Sequence, residues 1–258
     1  MPEARLLILG GSAEGFALAD ALQPRHDLTV TTSLAGVTEA PRTPLGGIRR
    51  GGFGGVMGLV SFLRDDRISA IIDATHPFAD GISRNAAIAA AKMKVPIIHL
   101  WRPAWEQESG DQWTEVDDLE AASAAIPAGK AAVFLTTGRS ELAAFAGRSD
   151  CTFIARIIQP VEQRPAETWP EKLKFVYDKG PFDLELERKL LKKHQVRLIV
   201  SKNSGGEAAY PKLAAARELG LPVVMVRRPP KPTGRTVATV EAAIKWLEGV
   251  LPAVVQGA

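Results

Sequence analysis

The chain opens with an apolar run, Leu6-Leu7-Ile8-Leu9, that passes directly into Gly10-Gly11-Ser12-Ala13-Glu14-Gly15. A strand that ends in glycines and turns into helical spacing has the makings of a phosphate cradle. Gly10 and Gly11 let backbone approach an anion closely, and the helix start supplies N–H groups and a partial positive charge. Ser12 adds a hydroxyl donor. The spacing departs from the strict G-x-G-x-x-G fingerprint, so a tight strand-to-helix turn without a ligand is the alternative reading. The next strand ends in Thr31-Thr32-Ser33, where a carboxylate would bind the ribose 2′-hydroxyl of NAD. Small hydroxyls at Thr32 and Ser33 instead leave room for a 2′-phosphate. Arg42, Arg49 and Arg50 follow, and guanidinium pairs well with phosphate. The expected cofactor is therefore NADPH, with Arg49 beside its phosphate; plain surface charge is the other explanation of these arginines.

Three further polar loops follow apolar runs. Thr75-His76-Pro77 comes after Ala70–Ala74. Ligands of open α/β sheets bind outside the carboxyl ends of the strands, so Thr75 and His76 are expected on the nicotinamide side. His76 can position the cofactor or pass a proton. Thr136-Thr137-Gly138-Arg139 and Ser201-Lys202-Asn203-Ser204-Gly205-Gly206 occupy the matching places later in the chain. Loops of this kind hold carboxylates or phosphates through backbone N–H groups and a nearby cation. Together with Arg102, Arg156 and Lys212 they are expected to bind a substrate with several carboxylates, Thr137, Gly138 and Arg139 included.

The elements that must position these loops alternate almost from end to end. Strand-like runs at Arg5–Leu9, Leu28–Thr32, Gly46–Gly52, Ala70–Ala74 and Val95–Leu100 are separated by helical patterns at Glu14–Leu22, Val56–Leu63 and Asp80–Met93. After a Trp- and Pro-rich connection, Trp101–Trp113, the pattern resumes. Helical stretches lie at Asp117–Ala125, Ser140–Phe145, Asp183–His194 and Tyr210–Leu219, and strand-like runs at Ala131–Leu135, Thr152–Ile158, Leu173–Tyr177, Val196–Val200 and Pro222–Val226. A Pro-rich linker, Pro229–Gly234, precedes a last helix, Val240–Leu251. Such alternation predicts parallel sheets with crossover helices. The expected fold is α/β, two Rossmann-like units with a cleft between them. The expected division is a cofactor domain over 1–100, a substrate domain over 101–235 and a C-terminal helix over 236–258.

Composition bounds the function. Hydrophobic residues make up 46% and charged residues 24% of 258, an ordinary globular balance. No stretch approaches the ~20 apolar residues that span a bilayer, and the N-terminal run is too short and glycine-ended for a signal peptide. With one cysteine, Cys151, an internal disulfide is impossible, which suits a cytoplasmic protein. No Cys/His spacing suggests a metal. The net charge of +3 is uneven: residues 151–235 carry 17 Lys/Arg against 9 Asp/Glu. That excess suits a small polyanion; without interleaved aromatics or a helix-turn-helix pattern it does not suit nucleic acid. A Tyr followed four residues on by Lys is absent, since Tyr177 precedes Pro181 and Tyr210 precedes Ala214. P-loop and nucleophile-elbow patterns are absent too.

In combination, LILGGSAEG, DATHPFADGISRNA (Asp73–Ala86), FLTTGRSEL (Phe134–Leu142), ARIIQP (Ala155–Pro160), SKNSGG (Ser201–Gly206) and PVVMVRRP (Pro222–Pro229) resemble the precorrin-6A reductase family in content and order, from about residue 4 to about residue 250. The resemblance implies reduction by NADPH of one C=C bond of the precorrin-6A macrocycle to precorrin-6B, in cobalamin biosynthesis. It carries over Gly10, Gly11, Ser12 and Glu14 as cofactor contacts, Thr75 and His76 near the nicotinamide, and Lys202, Asn203 and Ser204 as residues shared by cofactor and substrate. His76 and Lys202 are the candidates for a catalytic part. Neighbouring enzymes of the same pathway are the candidate protein partners. Another NADPH-dependent reductase of a polyanion, or a non-catalytic NADP(H) sensor, are the competing expectations.

Overall fold

Four consecutive buried residues, Leu6 to Leu9, explain the first sheet. In a strand, alternate side chains point to opposite faces, and here both faces are covered. Leu6 and Ile8 pack into one apolar cluster, and Leu7 and Leu9 into another on the opposite face. A parallel strand buried on both sides reads as a continuous apolar run. Each such side chain is worth roughly 1.5–3 kcal/mol of hydrophobic stabilisation.

The computed structural model describes residues 4–35, 46–129, 131–158, 160–161, 169–178 and 180–256. Arg42 and Gln159 lie outside them. The chain forms two compact units, one of residues 1–103 with 229–258 and one of residues 104–228.

In the first unit the order is β1 (Ala4–Leu9), α1 (Ala13–Leu22), β2 (Leu28–Leu34), β3 (Gly47–Arg50), α2 (Gly55–Asp65), β4 (Ala70–Asp73), α3 (Asp80–Met93) and β5 (Ile97–Leu100). The second unit contributes β6 (Trp113–Val116), α4 (Leu119–Ala125), β7 (Ala132–Leu135), a 3₁₀ segment at Arg139–Phe145, β8 (Thr152–Ile157), β9 (Leu173–Tyr177), α5 (Leu184–Lys193), β10 (Leu198–Lys202), a short 3₁₀ turn at Glu207–Ala209, α6 (Pro211–Glu218) and β11 (Val223–Val226). The chain then returns to the first unit with β12 (Thr236–Val237) and α7 (Val240–Gln256).

Each sheet has six strands, all parallel, in the orders β3-β2-β1-β4-β5-β12 and β9-β8-β7-β10-β11-β6. The α/β fold with parallel sheets is as the alternation requires; the first sheet follows the 3-2-1-4-5-6 pattern of dinucleotide-binding sheets, and the second repeats its first five places but fills the sixth with β6, the strand that comes first in that unit. The strand reversal between β1 and β4, and between β7 and β10, is where such sheets open for ligands. In the first unit α1 and α7 contribute Leu18, Leu22 and Leu247 to one face, and α2 and α3 contribute Leu59, Leu63 and Ala86 to the other. In the second, α5 and α6 cover one face with Leu191, Leu213 and Ala216.

Two strands lie where the sequence predicts none. Trp113–Val116 starts on the last residue of the expected connection and runs through residues given no element, and Thr236-Val237 falls between a linker and a helix. Each takes the sixth place in its sheet, and β12 is held by His99 N–H to the Arg235 carbonyl (2.9 Å) and Trp101 N–H to the Val237 carbonyl (2.7 Å). The C-terminal helix, expected as a separate element, packs on the first sheet. The helical stretch expected at Ser140–Phe145 is 3₁₀, over Arg139–Phe145.

Candidate functional site

In the first unit, glycine geometry shapes the loop after β1. A Cβ on Gly10 would stand 3.0 Å from Thr32 Cγ2, so the strand passes β2 closely, and Gly10 N–H donates to the Ser33 carbonyl (2.9 Å). Gly11 sits at φ +114°, with open space where a side chain would project. Gly15, to which no role was given from sequence, keeps α1 against the sheet: a Cβ there would meet Gly10 Cα at 3.3 Å and Ala74 Cβ at 3.4 Å. Ser12 caps α1. Its hydroxyl accepts from Gly15 N–H (3.0 Å) and donates to the Ala74 carbonyl (2.7 Å). The cap is stabilising, and the donor expected for a phosphate is engaged inside the fold. Glu14, in the first turn, pairs with Arg102. Arg102 thus belongs to the first unit.

Thr32 and Ser33 are buried, and the Thr32 hydroxyl has no hydrogen-bond partner. Arg49 on β3 is in register with Ser33. Its guanidinium donates to the carbonyls of Gly51 and Gly52 and lies 3.8 Å above the Phe53 ring.

After β4, Asp73 organises the loop. Its Oδ1 accepts from Thr75 N–H (3.1 Å) and Thr75 Oγ1 (2.7 Å), and Oδ2 is 2.9 Å from His99 Nδ1. Burial opposes ionisation of Asp73, but hydrogen bonds from His99, Ser83 and Thr75 outweigh it and hold the carboxyl below its ordinary value. His76 accepts a hydrogen bond from Phe78 N–H on Nδ1 (3.3 Å), so a neutral ring carries its hydrogen on Nε2.

In the second unit, Gly138 follows β7 at φ +112°. The Thr137 hydroxyl beside it is buried and unpartnered. Lys202, the last residue of β10, donates to Glu141 Oε1 (2.8 Å), while Glu141 Oε2 is buried without a partner. Arg139 lies 5.8 Å from the Trp169 ring. Asn203 clamps the incoming chain: its side chain accepts from Trp105 N–H (2.8 Å) and donates to the Trp105 carbonyl (2.9 Å). Ser204 N–H donates to the Lys202 carbonyl (2.7 Å).

Two expected substrate cations lie inside the unit. Arg156 is 8% exposed, pairs with Glu187 (2.7 Å) and stacks between Phe134 and Phe182. Lys212 is 5% exposed, donates to the Ala209 carbonyl (2.8 Å) and rests over the Trp105 ring. The sequence therefore placed Thr137, Gly138, Arg139, Lys202, Asn203 and Ser204 at neighbouring strand ends, and it missed Asp73, His99 and Glu141. A carboxylate closing the apolar run Ala70–Asp73 was a usable signal, since a buried charge needs a partner.

Comparison with known proteins follows the same lines. The family model described as Precorrin-6x reductase CbiJ/CobK matches residues 5–248. The chain belongs to the precorrin-6x reductase family. It is 42% identical over 244 residues to the precorrin-6A reductase of Rhodococcus erythropolis, covering 94% of this chain and 97% of that one. With the Mycobacterium tuberculosis precorrin-6A reductase it shares 42% over 247 residues, 95% of this chain and 98% of the other. A solved CobK precorrin-6A reductase superposes with a TM-score of 0.91 at 39% identity, over 96% and 97% of the two chains. No helix among the described residues is long and apolar enough to cross a membrane, and no group of three or more His, Cys, Asp or Glu side chains among them is placed to hold a metal.

Proposed function

We propose that this protein reduces precorrin-6A with NADPH, giving precorrin-6B in cobalamin biosynthesis. Family membership supports the substrate class. The observation that carries the cofactor is the Gly10–Gly11 turn, with its close backbone approach, its left-handed glycine and its open space, at the strand reversal of the first sheet. The residues present fit a dinucleotide. Backbone N–H groups at the start of α1 would hold its pyrophosphate rather than Ser12, whose hydroxyl faces Ala74. Among the described residues at the end of β2 no carboxylate stands where NAD would need one, and Arg49 lies in register with Ser33, where it suits a 2′-phosphate.

Bound NADPH would supply the hydride. The protein's part is to bind, orient and exclude water. Thr75, fixed by Asp73, and His76 beside it would line the nicotinamide side, with a neutral His76 carrying its hydrogen on Nε2. Lys202, steered by Glu141, would offer an ammonium to a substrate carboxylate or a proton to the macrocycle. Thr137, Gly138 and Arg139 hold further carboxylates. The enzyme works in the cytoplasm, and the enzymes that make its substrate and take its product are its candidate partners.

One observation favours a second arrangement of the same reaction. The Thr137 hydroxyl is buried without a partner beside a left-handed glycine, so the Thr137–Gly138 turn also suits a phosphate. Fluorescence titration with NADPH separates the two. Gly11→Val should weaken binding by at least about tenfold, as loss of close backbone approach predicts, and Gly138→Val should leave it nearly unchanged. The reverse result would move the cofactor to the second unit. No NADPH binding by the unaltered chain, or no oxidation of NADPH with precorrin-6A, would end the proposal.

A further inference from the structure

Asp73 and His99 form a buried pair in the first unit that the proposed chemistry does not use directly. Asp73 is 3% exposed and His99 1%. They close adjacent parallel strands, β4 and β5, in register with each other. Both nitrogens of the His99 ring are engaged, and they face opposite ways. Nδ1 lies 2.9 Å from Asp73 Oδ2, and Nε2 lies 3.3 Å from the Thr233 carbonyl. A carbonyl oxygen only accepts, so Nε2 carries hydrogen. The other oxygen of the same carboxylate takes both donors of Thr75, and Thr75 Oγ1 is also 3.1 Å from Ser83 Oγ at the start of α3. On the far side, Gly234, at φ +125°, packs its backbone against the ring; a Cβ there would stand 3.6 Å from Nε2. One imidazole therefore touches, at two ends, the loop that carries His76 and the segment that leads into β12.

We propose that His99 is a positioning residue: through Nδ1 and Asp73 it sets the Thr75-His76 loop, and through Nε2 it seats residues 233–237 at the edge of the first sheet. Its consequence for turnover rests on the reading above that Thr75 and His76 face the nicotinamide. Its structural content does not. The two arms are separable by isosteres. Asparagine at 99 places its amide nitrogen where Nδ1 stands, and glutamine places its amide nitrogen where Nε2 stands.

Amide hydrogen exchange on the full chain, resolved by NMR, is the first test. His99→Asn should keep Thr75 N–H protected and speed exchange at Trp101 N–H, which bonds to Val237, by about tenfold, the size of one lost buried hydrogen bond. His99→Gln should do the opposite, with Thr75 faster by about tenfold and Trp101 unchanged. The same response in both variants is what a packing role gives, and it overturns the proposal. Should either variant fail to fold, long-range 15N–1H correlation of the unaltered chain decides: hydrogen on both His99 nitrogens supports the two-armed contact, and a bare nitrogen overturns it. Kinetics then test the functional half. His99→Gln should lower kcat by about tenfold, in proportion to the loosened loop, with NADPH KM little changed, and His99→Asn should stay within about threefold. A loosened Thr75 with unaltered kcat would refute the positioning role. If the unaltered chain neither binds NADPH nor turns over, the reading of the cofactor fails instead, and the exchange pattern still judges His99.

Discussion

The two units share the order of five of their six strands and place a glycine turn at the same point in it, after β1 in one and after β7 in the other. They differ in what surrounds that turn. In the first, Ser12 caps a regular ten-residue helix, its hydroxyl is engaged at both roles, and Glu14 is paired with Arg102. In the second, no side chain caps the 3₁₀ segment after Gly138, and the Thr137 hydroxyl and one Glu141 oxygen are buried without partners. Helix capping satisfies donors at a terminus, so the start of α1 offers a ligand backbone, and among the described residues the one unpartnered hydroxyl against that turn is Thr32 on β2. The second keeps side-chain hydrogen-bonding capacity in reserve, and a buried group left unsatisfied calls for an explanation, of which a ligand that completes it is one.

The largest break in this comparison is expected away from both turns, at the buried pair that stiffens the second sheet. Glu187 is 2% exposed against Arg156. Glu187→Ala strands a guanidinium in the core, and urea unfolding should show a loss of about 3–5 kcal/mol. A loss below about 1 kcal/mol would mean that Arg156 reaches water, and would restore it as a substrate cation. Asn203→Ala removes two hydrogen bonds to the Trp105 backbone, and about 2–3 kcal/mol should go with them.

How much of this was legible follows from distance along the chain. The apolar run Leu6–Leu9 and the glycines after it are local signals, so β1, its turn and the parallel α/β class could be read directly. The loop at Ser201–Gly206 was found for the same reason. What was missed is long-range. Asp73 meets His99 across 26 positions, Arg156 meets Glu187 across 31, and Lys202 meets Glu141 across 61. No periodicity reports such pairings, so Arg156 and Lys212 passed for surface cations when packing had buried them. Strand β12 was missed because two residues are too short for alternation to show.

Acid titration compares the units at intermediate scale. The folded-state carboxyl of Asp73 lies below its ordinary value, so its contribution to stability is complete above pH ~4 and is lost as pH falls through the lowered folded value. Asp73→Asn should flatten that acid limb when urea unfolding is repeated from pH 6 downward. An unchanged slope would assign the limb to other carboxylates. Ser12→Ala should cost about 1 kcal/mol for the lost cap, with NADPH affinity within about threefold, since the hydroxyl faces Ala74 and not the ligand. A tenfold loss of affinity would place the hydroxyl on the phosphate after all.

The smallest stability change is expected where the comparison is sharpest. Thr137→Val exchanges a buried hydroxyl that bonds to nothing for a methyl of similar size. A buried polar group without a partner is unfavourable by about 1–3 kcal/mol relative to a satisfied one, so its removal should leave the ligand-free protein unchanged or more stable by up to about 1 kcal/mol. Binding should move the other way. If a carboxylate or phosphate completes that hydroxyl, the variant loses one buried hydrogen bond to a charged group, about 1.5–3 kcal/mol, seen as a rise of about tenfold or more in the KM for the macrocycle or the Kd for NADPH, whichever occupies the turn. Calorimetry of the free protein and steady-state kinetics of the same sample give both signs at once. A stabilised protein with unaltered affinities for both ligands would show that the hydroxyl is unsatisfied in every state, and the contrast between the two turns would then owe nothing to function.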